Sequence, residues 1–278
     1  MVRCPSVPTP PVAPSSVRAA AFARWLTGFI IAGCASVPTP PLVPPATAPA
    51  PVVPAGWVLL GAYTTSFNDN ELERSANIRL AAERLHGVTI EPGAIWSFNR
   101  TVGRRDVLNG YRIAPTLTLQ GKEPALGGGV CQVSTTVFNA LLLADLGIEE
   151  RHPHSRPVRY VALGRDAAVD WGSKDLKVKN HHPFPLKITA QVDGGRLTTR
   201  LFGPRALVHD VVIEVGDLEP AAPRKELQVL ESPDDLAVGG VWVKLYRKRM
   251  KDGSVFEVER VGKPSFYPWK VKVPVKPR

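Results

Sequence analysis

The sequence predicts an α+β fold: an antiparallel sheet packed with a central cysteine-bearing helix, followed by a smaller β-rich C-terminal region. Three observations carry that expectation. Both helical patterns fall before residue 150, alternating strand-like runs dominate after it, and a glycine triplet opens the more apolar helix.

Taken in order, residues 58–66 read as a strand. Residues 70–85 read as a helix, with apolar or small residues at Leu72, Ala76, Ile78, Leu80, Ala81, Ala82 and Leu85. Residues 88–90, 95–98 and 116–119 read as short strands. The run Gly127-Gly128-Gly129-Val130-Cys131-Gln132-Val133-Ser134-Thr135-Thr136 then enters an apolar helix that Gly147 is expected to close. Residues 158–161, 176–179 and 186–192 alternate as strands, and Asp193-Gly194-Gly195 is a hairpin turn into residues 197–202. Beyond residue 205 the pattern is all β, with strands at 207–215, 238–248 and 255–261 and a turn at Lys251-Asp252-Gly253-Ser254.

The N-terminal residues carry a different message. Arg18 and Arg24 precede the apolar segment 25–33, which ends at Cys34. Basic residues, a short apolar core and small residues before a cut site mark a secretory signal peptide. Ile31-Ala32-Gly33-Cys34 is similar to the lipobox of bacterial lipoproteins, which implies cleavage before Cys34 and its lipidation. The segment is too short to span a bilayer. Residues 1–17 are rich in proline, unusual ahead of such a segment, and a true start near Val17 would explain them. Residues 35–56, with prolines at 38, 40, 41, 44, 45, 49, 51 and 54, suit a polyproline tether. The expected organisation is signal 1–34, tether 35–56, main domain 57–205 and β-rich region 206–278.

Composition agrees. The chain has 278 residues, 44% of them hydrophobic, and a formal charge of +10, enough apolar material for a core and a bias toward anionic surfaces. Phospholipid headgroups or wall polymers fit that charge. Nucleic acid does not, because export and the absence of an aromatic-interleaved basic stripe argue against it. Of three cysteines, Cys4 and Cys34 belong to the leader, leaving Cys131 without an intrachain disulfide partner.

Cys131 is expected in the first turn of its helix, where free N–H groups and the macrodipole favour a thiolate. His152 and His154 flank Pro153 shortly after that helix. A cysteine at a helix start and a histidine on following extended chain can pair nucleophile with base. Asp166, Asp170 and Asp175 lie downstream, and Asp170 sits in a period-two stretch suited to orient the imidazole. Gly127, Gly128, Gly129, Gln132, Ser134 and Thr135 are candidate ligand contacts. The bland alternative is a buried cysteine at a tight junction, with the hydroxyls satisfying helix-start N–H groups. No local spacing nucleates a metal site, so neither metal nor cofactor is expected.

Ser97-Phe98-Asn99, Val102-Gly103-Arg104-Arg105, Gly110-Tyr111, Ala114-Pro115, the Gly127-to-Thr136 run, Arg151-His152-Pro153-His154-Ser155 and Asp166-Ala167-Ala168-Val169 resemble the VanW family in order and spacing. The resemblance implies an envelope-associated domain over roughly residues 60 to 203 and assigns it no chemistry. Residues 239–253 are faintly similar to a small β module of the G5 type. Three functions remain open. One is a lipid-anchored protein binding peptidoglycan or another anionic envelope polymer in an accessory role. The second is a thiol enzyme in which Cys131 attacks, His154 (or His152) acts as base and Asp170 orients it. The third is a structural lipoprotein. Binding or accessory work ranks first on sequence alone.

Overall fold

The structure is a computed structural model and describes residues 53–117, 122–221 and 236–272. The expected signal segment, Cys34 and all but the last four residues of the expected tether (53–56) lie outside them. In chain order the first elements are β1 (Val58–Ser66), α1 (Leu72–Leu85), β2 (Thr89–Ile90), β3 (Ile95–Ser97) and α2 (Phe98–Val102). Then come β4 (Ile113–Leu117), β5 (Lys122–Leu126), α3 (Val130–Leu143), β6 (Gly147–Glu150) and β7 (Lys177–Lys179). Six long strands finish the order with β8 (Leu186–Asp193), β9 (Arg196–Gly203), β10 (Asp210–Ala221), β11 (Leu236–Lys251), β12 (Ser254–Arg260) and β13 (Ser265–Lys272).

Every strand pair is antiparallel. One sheet runs β1-β9-β8-β2, a second β3-β7-β6, β4 and β5 form a hairpin, and β10-β11-β12 form a further sheet to which β13 adds along β11. The β8–β9 hairpin turns through Gly194 (φ 50°) and Gly195 (φ 75°). Consecutive positive φ angles match the right-handed twist of flanking strands and favour glycine. The β11–β12 hairpin uses Asp252 (φ 51°) and Gly253 (φ 75°) in the same way.

Helix α3 packs on β1 and β9. All its residues except Cys131 and Leu143 are buried. The approach to β1 is closest at Gly61, where a Cβ would come within 2.8 Å of the Ala144 nitrogen. Helix α1 turns Ile78, Ala81, Ala82 and Leu85 into the same core. It begins two residues later than the periodicity suggests, because Asn68 Oδ1 accepts the Asn70 N–H (3.2 Å) in a local turn.

Two other expectations give way. Helix α3 ends at Leu143, and Asp145 (φ 59°), not Gly147, takes the left-handed position after it. Asp145 is held there by Arg249, which donates at 2.8 to 3.1 Å, by His209 at 2.9 Å and by Arg247 at 3.2 Å. Gly147 instead opens β6 beneath the His181 ring, with no room for a Cβ. Residues 158–161 form no strand, because Tyr160 turns inward to meet the His154 ring edge-on at 6.4 Å.

The C-terminal sheet is bonded to the body beneath it. Arg247, 2% exposed, donates to the Leu146 carbonyl (2.6 Å) and pairs with Glu259 (2.7 Å) and Asp145. Among the described residues no helix is long and apolar enough to cross a membrane.

Candidate active site

The turn into α3 is built by close packing. Gly127 (φ 77°) and Gly129 (φ 105°) need backbone geometry that disfavours other residues. Gly128 has ordinary φ but lies so near β4 that a Cβ would meet the Ala114 oxygen at 2.6 Å. The Val130 N–H bonds to the Gly127 carbonyl (3.0 Å) and the Gln132 N–H to the Gly129 carbonyl (2.9 Å). Between them, the Cys131 N–H has no partner among the described residues. The half-buried Cys131 sulfur sits above this turn, 3.4 Å from the Val169 carbonyl oxygen.

Opposite stands His154, 8% exposed. Its Nδ1 is 2.7 Å from Asp166 Oδ2, and the same oxygen accepts the His154 backbone N–H at 2.6 Å. With Nδ1 taken, Nε2 is the nitrogen left to serve the thiol, and the Tyr160 hydroxyl lies 3.5 Å from it. Asp166 is 1% exposed and also pairs with Arg151 (2.8 Å) and accepts from the Tyr267 hydroxyl. Tyr267 accepts the Gly164 N–H (2.9 Å), and Arg151 donates to the Ser265 hydroxyl, so β13 braces the carboxylate from behind.

The electrostatics follow. Burial pushes the Cys131 thiol up, but hydrogen bonding with His154, its charge, the Val169 backbone and Arg105 together bring it below the ordinary thiol value. Burial pushes His154 down, yet the bonds to Asp166 and Cys131 prevail and raise it to about 9. Burial likewise pushes Asp166 up, but His154 and Arg151 hold it below the ordinary carboxylate value. All three directions favour a thiolate beside an imidazolium, with a carboxylate behind the ring.

Residues 73–202 match the family described as VanW like protein. This stretch is a VanW-like domain. The chain is 41% identical over 143 residues to the uncharacterized protein YoaR of Bacillus subtilis, covering 51% of this chain and 47% of that one. It is 32% identical over 139 residues to the vancomycin B-type resistance protein VanW of Enterococcus faecalis, covering 47% and 50%. The chain thus spans about half the length of the curated relatives it matches. No solved structure matches it.

Within the VanW-like domain, Cys131 and His154 come together and Asp170 stands apart. Asp170 is exposed in a turn, accepts from the Ser173 hydroxyl (2.5 Å) and does not reach His154. Asp166, four residues earlier, takes the place expected of it, because the 166–169 segment lies along the start of α3. His152 turns away and bonds Glu150 at 2.9 Å. Gln132 is spent on Arg74 (2.6 Å), Thr65 (2.9 Å) and the Ser66 carbonyl (3.0 Å). Ser134 donates to the Ala167 carbonyl, and Thr135 accepts the Ala167 N–H (3.0 Å). These hydroxyls fasten the segment that carries Asp166. Gly127 and Gly128 are buried, and all three glycines are hemmed in by Arg105, β4 or α1. Sequence reasoning passed over Arg105, Arg151, Tyr160 and Tyr267. Arg105 and Arg151 lie in motifs quoted above, but only the fold shows which way they face.

Proposed function

We propose that the VanW-like domain is a thiol-dependent acyl hydrolase or acyl transferase of the bacterial cell envelope, acting on cell-wall peptides or related acyl groups. One observation carries this reading: Cys131 shares its site with an imidazole whose far nitrogen is held by a buried carboxylate. The thiolate attacks the substrate carbonyl, forming a C–S bond while the C=O π pair moves onto oxygen. The Cys131 N–H, without a partner among the described residues, is the donor that would receive that oxyanion. Collapse expels the leaving amine or alkoxide, which takes its proton from His154 Nε2. Water or an acceptor nucleophile then gives a proton to neutral His154, attacks the thioester and returns the thiolate and imidazolium. Asp166 holds the ring throughout and keeps Nε2 forward. A purely binding role leaves this alignment without a use, so catalysis is placed ahead of it here.

The envelope setting rests on the basic, apolar and lipobox-like residues up to Cys34 and on the proline tether. Palmitate labelling of cells that is lost in Cys34→Ser supports the anchor, and labelling that persists refutes it. The chemistry is tested by iodoacetamide alkylation of Cys131 across pH with peptide mapping, alongside mass spectrometry for an acyl group on Cys131 after exposure to acyl esters. A labelling midpoint well below about 8.5, moved upward in His154→Gln, supports the reading. A midpoint at the free-thiol value, or no labelling until denaturation, sinks it.

A further inference from the structure

The proposed reaction leaves one charged side chain of this site unused. Arg105 lies along the glycine turn that leads into Cys131, and a Cβ on Gly127 would come within 2.9 Å of its own Cβ. Its guanidinium donates to Asn99 Oδ1 (2.6 Å) and to the Gly103 carbonyl (3.0 Å) and lies over the Phe98 ring at 5.7 Å. Asn99 in turn donates to the carbonyl of Asp170 (3.2 Å), the residue after Val169, whose carbonyl oxygen lies against the Cys131 sulfur. A short run of bonds thus fixes Arg105 beside Cys131.

No carboxylate answers its charge among the described residues, and the thiolate form of Cys131 is the anion that weighs on it most. Among the described residues Arg105 makes no ion pair. The neighbouring acids face elsewhere: Asp175 accepts from the Ser97 hydroxyl (2.6 Å) and the Asn99 (2.9 Å) and Leu176 (2.8 Å) N–H groups, and Asp170 from Ser173. Two neutral acceptors leave the rest of a five-donor fork unused. A partly buried guanidinium without a carboxylate partner is costly, which favours a site whose second anion arrives with the ligand. Burial pulls the Arg105 pKa down, and Cys131 is the leading influence against that shift. An open depression borders the Asn99 that holds the fork; Lys174 and Lys177 line it together with Glu150 and Asp175, so its own charges balance and Arg105 supplies the unmatched positive charge beside it.

We propose that Arg105 receives a carboxylate of the acyl substrate, so that the site selects substrates bearing a carboxylate close to the carbonyl that Cys131 attacks. This rests on the thiol reading above. The planar fork suits a carboxylate bidentately and distinguishes it from a neutral amide of the same shape.

The test compares alkylation of Cys131 in the intact protein by iodoacetate, which carries a carboxylate, and iodoacetamide, which does not. Their rate ratio, referred to that of N-acetylcysteine, is expected to be raised about tenfold. In Arg105→Gln the ratio falls most of the way to the reference, while the iodoacetamide pH midpoint moves little. Arg105→Lys keeps most of the preference, with thermal melts confirming that both variants fold. A ratio unchanged in Arg105→Gln, or both reagents slowed equally there, overturns the assignment, since a merely thiolate-stabilising or structural role predicts those results. If folded wild-type Cys131 reacts with neither reagent, the thiol reading itself fails and Arg105 loses this role with it.

Discussion

Asp166→Asn removes one charge and keeps the shape. The carboxylate supports His154 through two contacts, at 2.6 and 2.7 Å, and neutralises Arg151 at 2.8 Å. His154 is raised from 6.5 to about 9 by Asp166 and Cys131 together, against the pull of burial. That rise corresponds to about 3 kcal/mol in favour of the imidazolium. Without Asp166, burial opposes only the thiolate, so the His154 pKa is expected to fall by at least one unit. A raised histidine pKa stabilises the fold fully below the unfolded value and loses that contribution as pH rises through about 9. The depressed Asp166 adds stability that is present above the unfolded carboxylate value and lost as pH falls through its own lowered value. The variant is thus destabilised most between mildly acidic and neutral pH, by about 3–5 kcal/mol for a broken buried pair. The deficit shrinks as pH passes 9. NMR titration of the His154 ring, with denaturant unfolding at pH values on either side of 9, measures both quantities. A folded Asp166→Asn protein whose His154 still titrates near 9 would refute the orienting role of Asp166.

Asp170→Asn is expected to leave the His154 titration and Cys131 labelling unchanged, since among the described residues its carboxylate bonds only Ser173; a shift in either quantity contradicts the geometry. Tyr267→Phe deletes a hydrogen bond to Asp166 and an acceptor for Gly164, costing about 1–3 kcal/mol in urea unfolding. It should also raise the His154 pKa slightly, because Asp166 loses a competing donor and accepts more strongly from the ring, where a purely structural loss leaves the titration still. Asp145→Ala takes from Arg247 and Arg249 one of the two carboxylates they share, Glu259 being the other, and puts a Cβ-bearing residue without a local hydrogen bond at φ 59°, so a loss of about 1–3 kcal/mol is expected by calorimetry. Gly61→Ala forces β1 from α3 and should cost about 1–3 kcal/mol, seen as a lower melting temperature.

Much of the scaffold is readable in advance because it is periodic. The alternation of residues 186–202 and the glycines at 194 and 195 dictate a hairpin whatever surrounds them. Short elements are not. β5 carries Pro124 and offers no alternation, and β6 is legible only as a partner of β7. The glycine triplet announces a tight turn into a helix, and the turn is there; its purpose is packing against Arg105, β4 and α1. Cys131 and His154 could be singled out because their residue types carry chemistry in few other settings. The choice among three aspartates could not be made locally. Asp170 has the better strand pattern, while Asp166 wins through long-range contacts to Arg151 and Tyr267. Such contacts leave no trace in neighbouring sequence.

The Asp166 carboxylate and the Tyr267 hydroxyl are 101 positions apart. A chain stopped after β9 already holds the thiol, the imidazole and the carboxylate. It lacks Ser265 and Tyr267 behind Asp166, and Arg247 and Arg249 around Asp145. At a synthesis rate of about 5–20 residues per second, Asp166 waits roughly 5–20 s for its last partner. The reactive pair is therefore completed late in translation, and fragments cut at the edges of the recognisable stretch should contain every reacting atom yet hold them loosely.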